Sequence, residues 1–165
     1  MTPARKRSAV RAAASNAWTP ARLRAYDGPL LLDTHIWIWY LNGDGQALAP
    51  ATVSLLERSA AASGLFVSDI SYWEVAVKSA KGKLDFTVDT SVWLQRAERA
   101  PGVRFVPLDR TILLQSTRLP GTPHGDPADR MLMATALILN MPLVTADRAI
   151  IAYGKQHSLP TVDVR

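Results

Sequence analysis

The sequence PLLLDTHIWIWYL, at residues 29–41, decides the fold class of this 165-residue chain. The run Pro29–Asp33 is apolar up to its final acid, as expected of a parallel strand that is covered on both faces. The segment Thr34–Leu41 that follows is apolar on every side. It predicts a short helix that is either completely buried or keeps one face for a partner.

Short β-rich runs alternate with longer segments of helical period over residues 29–165. This rhythm predicts an α/β fold with a central, mainly parallel sheet. Further strands are expected at Leu65–Ser68, Val103–Leu108, Met141–Thr145 and, as an edge, Thr161–Val164. Helices are expected at Pro50–Ala62, Ser71–Gly82, Thr90–Ala100, Asp109–Leu119 and Ala128–Asn140, with a short helix within Ala146–Tyr153.

The formal net charge of +5 comes from the N-terminal segment. Six of the 19 basic and one of the 14 acidic residues precede residue 29, which leaves 13 of each for residues 29–165. We interpret residues 1–28 as a disordered extension or as the product of a misassigned start codon, and residues 29–165 as the domain. A basic arm that binds phosphate and a transit peptide remain the alternatives.

Cysteine is absent, and no apolar run reaches membrane-spanning length. A disulfide framework and a thiolate metal site are therefore excluded, so a metal would depend on oxygen or imidazole ligands. The composition fits one soluble domain without a membrane partner, and it suits the reducing cytoplasm.

Four acids fall where predicted strands end or where the next helices begin: Asp33, Glu74, Asp129 and Asp147. Active sites of open parallel sheets form at the carboxyl edge, so we expect these acids on one rim. Asp33 gains nothing from burial behind three leucines unless it is paired or binds a cation. Converging carboxylates repel, and hard oxygen ligands select Mg²⁺ or Mn²⁺. Such a site can activate a water for phosphodiester hydrolysis.

Most of these acids also have a purely structural interpretation. Glu74, placed in the first turn of its helix, would complete a capping box with Ser71. Asp126 precedes a proline and suits a helix N-cap better than a ligand role. Asp129 would complement a helix dipole, and Asp147 would serve as a turn residue.

Several neighbours have predicted supporting roles. Thr34 and Thr145 could hold metal ligands or waters, although a hydroxyl at a strand end more often caps the next helix. His124 is interpreted as a substrate contact or as a residue that orders its loop. Arg130 is expected to pair with an acid, with a bidentate phosphate contact as the alternative. Lys78 is expected to form an ion pair with the acid one turn before it.

Five sequence blocks occur in order: LLDTHIWIW at Leu31–Trp39, SDISYWEVAVK at Ser68–Lys78, GKL at Gly82–Leu84, HGDPADRMLMATA at His124–Ala136 and PLVTAD at Pro142–Asp147. Together they resemble the PIN-domain nuclease family, specifically its VapC-like branch of toxins from type II toxin–antitoxin systems. The resemblance covers residues 29 to about 165. Ala128 departs from it, because a large aromatic residue is expected there.

The resemblance implies a three-layer α/β/α sandwich and a Mg²⁺- or Mn²⁺-dependent endoribonuclease. Its catalytic and metal-binding acids correspond to Asp33, Glu74, Asp129 and Asp147. It also implies a VapB-like antitoxin that blocks the site, a homodimer and an RNA substrate; the chemistry alone would not separate RNA from DNA.

We assign the partner or dimer contact to the apolar helix after the first strand, through Ile36, Trp37, Trp39 and Tyr40. Three rival classes were weighed. A phosphoacceptor receiver would have paired acids after strand one and a lysine at a late strand end. A haloacid-dehalogenase-type phosphatase would have an acid at the position of His35. The third is a catalytically silent PIN-like module that only binds its antitoxin.

Overall fold

The computed structural model describes residues 20–164, in which helices cover both faces of a five-stranded sheet. The strands are β1 (Leu30–Leu32), β2 (Leu65–Ser68), β3 (Val103–Val106), β4 (Leu143–Thr145) and β5 (Thr161–Asp163). The helices are α1 (Pro20–Arg24), α2 (Thr34–Asn42), α3 (Pro50–Ala62), α4 (Asp69–Ala80), α5 (Thr90–Glu98), α6 (Arg110–Ser116), α7 (Pro127–Leu139) and α8 (Arg148–His157).

The strand order is β3-β2-β1-β4-β5, and every neighbouring pair is parallel. Strand β1 is central, with Leu32 aligned to Val67 on one side and to Val144 on the other. All strands therefore end at the same edge of the sheet. The residues that follow β1, β2 and β4 meet there, as the rule for open parallel sheets predicts.

Successive leucines of β1 point to opposite faces of the sheet, as strand geometry requires. Leu30 and Leu32 pack into a core formed with α2, α3 and α5, whereas Leu31 packs into a second core formed with α7 and α8. All three leucines are fully buried. Helices thus cover both faces of the sheet, and the predicted α/β/α sandwich is confirmed.

Helix α4 begins earlier than expected, and this corrects the predicted capping box. The side chain of Ser68 accepts a hydrogen bond from the backbone N–H of Ile70 at 3.3 Å, so Ser68 is the N-cap and Asp69 the first helical residue. Ser71 therefore lies inside the helix, and Glu74 lies in its second turn. Glu74 is free of any capping duty.

The segment 20–28, which the sequence assigned to the extension, contains a short helix that packs against the domain. Residues 20–24 form α1, and Leu23 and Tyr26 pack against the larger core. The guanidinium of Arg58 donates to the carbonyl of Leu23 at 2.9 Å. Residues 1–19, the remainder of the predicted extension, lie outside the described residues. Within the described part, no helix is both long and apolar enough to span a membrane.

The apolar helix α2 is mostly a core element, which corrects half of the predicted partner contact. Ile36 and Trp37 have no exposed surface. The indole of Trp37 packs edge-on against Trp93, with ring centroids 5.1 Å apart. These two side chains are unavailable to a partner, because they lie on the face of α2 that packs into the core. Trp39 and Tyr40 are only half-buried.

Candidate active site

An open cleft of about 350 Å³ lies at the carboxyl edge of the sheet. The four acids predicted from the sequence all line it, although they come from four separate stretches of chain. Its lining consists of Asp33, His35, Trp39, Glu74, Lys78, Asp126, Asp129, Ala146 and Asp147.

Asp33 stands directly after β1, and its side chain is only 7% exposed. The hydroxyl of Thr145 donates to its Oδ2 at 2.6 Å. Although Asp33 is the N-cap residue of α2, its carboxylate makes no capping hydrogen bond. Burial raises the pKa of Asp33, with a smaller contribution from the charge of Glu74, while Thr145 and His35 oppose the rise. The carboxylate is thus buried without a helix-capping purpose.

Glu74 reaches the cleft from the second turn of α4. Its Oε1 accepts a hydrogen bond from the hydroxyl of Thr34 at 2.9 Å, and its Oε2 lies 2.7 Å from Nζ of Lys78. The predicted ion pair with Lys78 is confirmed. The side chain of Thr34 is buried. Its hydrogen bond positions the Glu74 carboxylate, a candidate metal ligand, which is the role predicted for Thr34.

Asp129 lies in the first turn of α7, where the sequence placed it. Burial raises its pKa to about 6; the charges of Asp33, Asp126 and Glu74 add to the rise, and His124 opposes it. Two carboxylates of one cleft, Asp33 and Asp129, are therefore both harder to ionise than usual. A nearby positive charge would reverse this effect.

His124 stands between two of the acids. Its Nδ1 is 2.9 Å from Oδ2 of Asp129, and its Nε2 is 3.8 Å from Oδ2 of Asp147. The same Nδ1 accepts a hydrogen bond from the backbone N–H of Asp126 at 3.1 Å. The histidine thus orders its loop and also touches the acids. Arg130 donates to the carbonyl of His124, so the predicted pairing of Arg130 with an acid is wrong within residues 20–164.

Two acids at the edge of the cleft are helix caps. Asp126 accepts from the backbone N–H of Ala128 at 2.7 Å, which confirms the predicted N-cap of α7. Asp147 accepts from Ala149 at 2.7 Å and from Ile150 at 3.0 Å through one oxygen, Oδ1, and so caps α8. The other oxygen of Asp147 remains turned toward the cleft. Its predicted role as a turn residue becomes that of a helix cap.

Thr145 joins two of the acids from the last residue of β4. Its fully buried hydroxyl donates to Asp33 and accepts from the backbone N–H of Asp147 at 3.0 Å. The hydroxyl therefore fixes the direction of one carboxylate and the start of the α8 turn at once. This is the positioning role predicted for Thr145.

Comparison with known proteins identifies the family of the chain. The PIN domain family profile matches residues 30–156. The chain belongs to the PIN domain family. It is 32% identical over 121 residues to Ribonuclease VapC22 of Mycobacterium tuberculosis, a match that covers 73% of this chain and 88% of that protein.

Solved structures share the fold at lower identity. The complex VapBC2 from Rickettsia felis, bound to a DNA fragment from its promoter, matches with a TM-score of 0.60 and 16% identity over 83% of this chain and 99% of that chain. VapBC-5 from Mycobacterium tuberculosis, a member of the VapBC family of toxin-antitoxin systems, matches with a TM-score of 0.51 and 18% identity over 83% of this chain and 99% of that chain. These structures share the fold, and the 32% identity to Ribonuclease VapC22 confirms the resemblance to the VapC-like branch.

The donor set of this PIN domain fits a partly hydrated dication better than a closed protein cage. Among residues 20–164, no three His, Asp or Glu side chains are grouped closely enough to hold an ion together. The cleft is open, and its available ligands are carboxylate oxygens. Mg²⁺ keeps several waters and is bound through one or two carboxylates plus substrate phosphate, so the arrangement suits that ion.

Two lining residues of the PIN domain cleft, His35 and Trp39, were not predicted there. Trp39 was assigned only to a partner contact, and His35 was considered only as the residue that excludes a phosphatase. A signal was present, because both residues follow Asp33 and are four positions apart on α2. Residues at that spacing share one face of a helix.

Proposed function

We propose that this PIN domain is a metal-dependent endoribonuclease that acts as the toxin of a toxin–antitoxin pair. One observation carries the proposal: the buried Asp33 and the partly buried Asp129 line the same acidic cleft, where desolvation raises the pKa of both. Crowding partly desolvated carboxylates into one cleft disfavours their charged forms. A site that binds a dication and a phosphodiester gives this arrangement a purpose.

Asp33, Glu74, Asp129 and Asp147 line the cleft, and one or two of these carboxylates, with water and substrate phosphate, would hold Mg²⁺ or Mn²⁺. When bound, such a cation lowers the pKa of water and stabilises charge on the leaving oxygen of a phosphodiester. Thr145 keeps the Asp33 carboxylate directed into the cleft. Together with Lys78, Thr34 does the same for Glu74.

The RNA substrate is inferred from the relative that is named a ribonuclease. Hydrolysis by an activated water does not need the ribose 2′-hydroxyl, so the cleft itself is equally suited to either nucleic acid. With RNA as its substrate, we place the enzyme in the cytoplasm.

The experiment that tests the nuclease uses the full chain and a short single-stranded RNA. We expect cleavage with Mg²⁺ or Mn²⁺ and none with excess EDTA. Asp33→Asn should lower the rate by roughly a hundredfold or more while the circular dichroism spectrum is unchanged. Asp85→Asn, which removes an exposed acid outside the cleft, is the matched control and should cut normally. Undiminished cleavage by Asp33→Asn would refute the assignment.

A VapB-like antitoxin is the proposed protein partner, and an apolar groove beside the cleft is its proposed binding site. The groove has a volume of about 550 Å³ and lies between the end of α2 and α3. Trp39 lines both the groove and the cleft, and Tyr40 lines the groove alone. Because Trp39 lines both surfaces, a segment seated in the groove would lie next to the active site.

Light scattering tests the partner proposals together. We propose a homodimer, for which the exposed Leu113 and Leu114 on α6 offer apolar surface. The free protein should therefore have twice the chain mass of 18.0 kDa. It should gain mass when a purified VapB-like antitoxin, sought in a short reading frame next to the gene, is added. Tyr40→Glu should keep the dimer mass and lose that gain; a variant that still binds the antitoxin contradicts the groove assignment.

A catalytically silent, antitoxin-binding module is the second candidate. The observation in its favour is that no three acids within residues 20–164 form a compact metal group. It predicts a protein that binds its antitoxin and remains inert with every metal. The RNA cleavage assay distinguishes the two functions directly.

A further inference from the structure

The charges of the cleft do not favour binding RNA through its phosphates. Five carboxylates and one permanent cation, Lys78, are among the described residues that line it. That lysine is already paired with Glu74 at 2.7 Å. Even a bound dication leaves negative charge in excess, so the strand that runs past the scissile phosphate must be held by something other than cation–phosphate attraction.

An aromatic wall offers the missing contact. His35 and Trp39 both line the cleft, and their ring centroids lie 5.8 Å apart at an interplanar angle of 42°. His35 is exposed and Trp39 is half-buried, so each has a face that is not used in the core. Trp37, on the same helix, is fully buried and contributes nothing to this surface.

The wall is close to the chemistry. His35 is two residues after Asp33 and near enough for its charge to affect the pKa of that acid. Trp39 is one helical turn farther along α2. A nucleotide whose phosphate lies over Asp33 therefore has aromatic side chains beside it.

We propose that His35 and Trp39 stack against the nucleobase next to the scissile phosphate and so hold single-stranded RNA in the cleft. The proposal rests on the nuclease function proposed above. Every base has a π-face, and stacking on an aromatic side chain contributes about 1–3 kcal/mol per base regardless of sequence. Bases paired within a duplex cannot reach such a wall, so the substrate class is unpaired RNA.

Binding is measured first, in the Asp33→Asn background so that the RNA stays intact. The probe is a fluorescent single-stranded RNA in which cleavage by the wild type has been mapped, or an uncut single-stranded RNA if no cleavage occurs. Trp39→Ala should weaken binding by roughly tenfold or more, and Trp39→Phe should bind within about threefold of its parent. His35→Ala should have a smaller effect in the same direction.

The matched control is Trp73→Ala, which removes an exposed tryptophan that does not line the cleft. It should bind RNA like its parent. To exclude a folding defect, the circular dichroism spectrum of Trp39→Ala should match that of the parent, because Trp39 packs partly against the larger core and its truncation lowers the melting temperature without unfolding the domain.

An abasic substitution decides whether the contact is a base. Removing the base beside the scissile phosphate should weaken binding to the parent by about the same factor as Trp39→Ala. The two changes together should weaken it no further, because both remove one interaction. If the abasic penalty is unchanged in Trp39→Ala, or if Trp39→Ala binds like its parent, the stacking proposal is wrong. Absence of any cleavage by the wild type would instead overturn the nuclease proposal, and the binding comparison would still test the wall.

Discussion

At the scale of single residues, the acids of the candidate ligand site lower the stability of the folded protein. Asp33 and Asp129 carry raised pKa values because burial disfavours their charged forms. A carboxyl group whose pKa is higher in the folded than in the unfolded chain stabilises the fold only while it is protonated. The metal-free protein should therefore lose stability as the pH rises from the ordinary carboxyl range through the raised pKa values of these two groups.

Asp129→Asn tests this expectation, since it removes the charge and keeps the size. In EDTA, lowering the pH from about 7.5 to about 5.5 should raise the melting temperature of the wild type, because Asp129 takes up a proton near its pKa of about 6. The variant should melt a few degrees higher at the upper pH, as about 1 kcal/mol corresponds to roughly 2–4 °C in a domain of this size. Scanning fluorimetry measures both effects; equal pH dependence in the two proteins would contradict the expectation.

Sequence reasoning found the acids because each is a polar residue after an apolar strand or at a helix start. It could not place His124 between Asp129 and Asp147, since that contact depends on how a loop folds back. The sequence also predicted an ion pair between Arg130 and an acid, whereas the Arg130 guanidinium donates a hydrogen bond to the carbonyl of His124. Loop conformation leaves no periodic pattern in a sequence, so such contacts need the folded chain.

At the scale of elements, the residue at which each helix begins determines where the acids of the cleft lie. The segment SDIS offers two serines as caps for α4, and local pattern cannot choose between Ser68 and Ser71. The end of β2 makes the choice, because Ser68, the last residue of that strand, already has the extended backbone that an N-cap needs. The shift moves Glu74 from the first to the second turn, where it meets Thr34.

The cap of α7 gives the prediction at this scale. Asp126→Ala should cost about 1 kcal/mol of unfolding free energy, because the N–H of Ala128 loses its acceptor. Asp126→Ser should keep most of that energy, since serine is a good N-cap. Chemical denaturation measures the difference. If the serine variant is as stable as the wild type but no longer cuts RNA, Asp126 is a ligand and not only a cap.

At the scale of the molecule, residues before position 29, where the sequence resemblance starts, also pack against the core. The sequence placed the boundary at residue 29, because Ala- and Arg-rich composition suggested an extension. Composition did not reveal that Leu23 and Tyr26 cover the core around α3 or that Arg58 depends on the carbonyl of Leu23. Such contacts join residues 35 positions apart and carry no local signature.

Two truncations test this boundary. Deleting residues 1–28 should lower the melting temperature by several degrees, because it uncovers apolar surface and leaves the Arg58 guanidinium without its acceptor. Deleting residues 1–19 is the matched control, since it retains every contact described for α1, and should leave the melting temperature unchanged. If both truncated proteins are equally stable, residues 20–28 do not stabilise the domain and its boundary lies at residue 29.

The hydrogen bond between Thr145 and Asp33 spans 112 positions of the chain. Central strand β1 is made early in synthesis, yet β4 and the acid that follows it emerge from the ribosome much later. A nascent chain stopped anywhere before residue 147 lacks a complete acidic cleft. A product that ends before residue 147 should therefore fail to cut RNA in the cleavage assay.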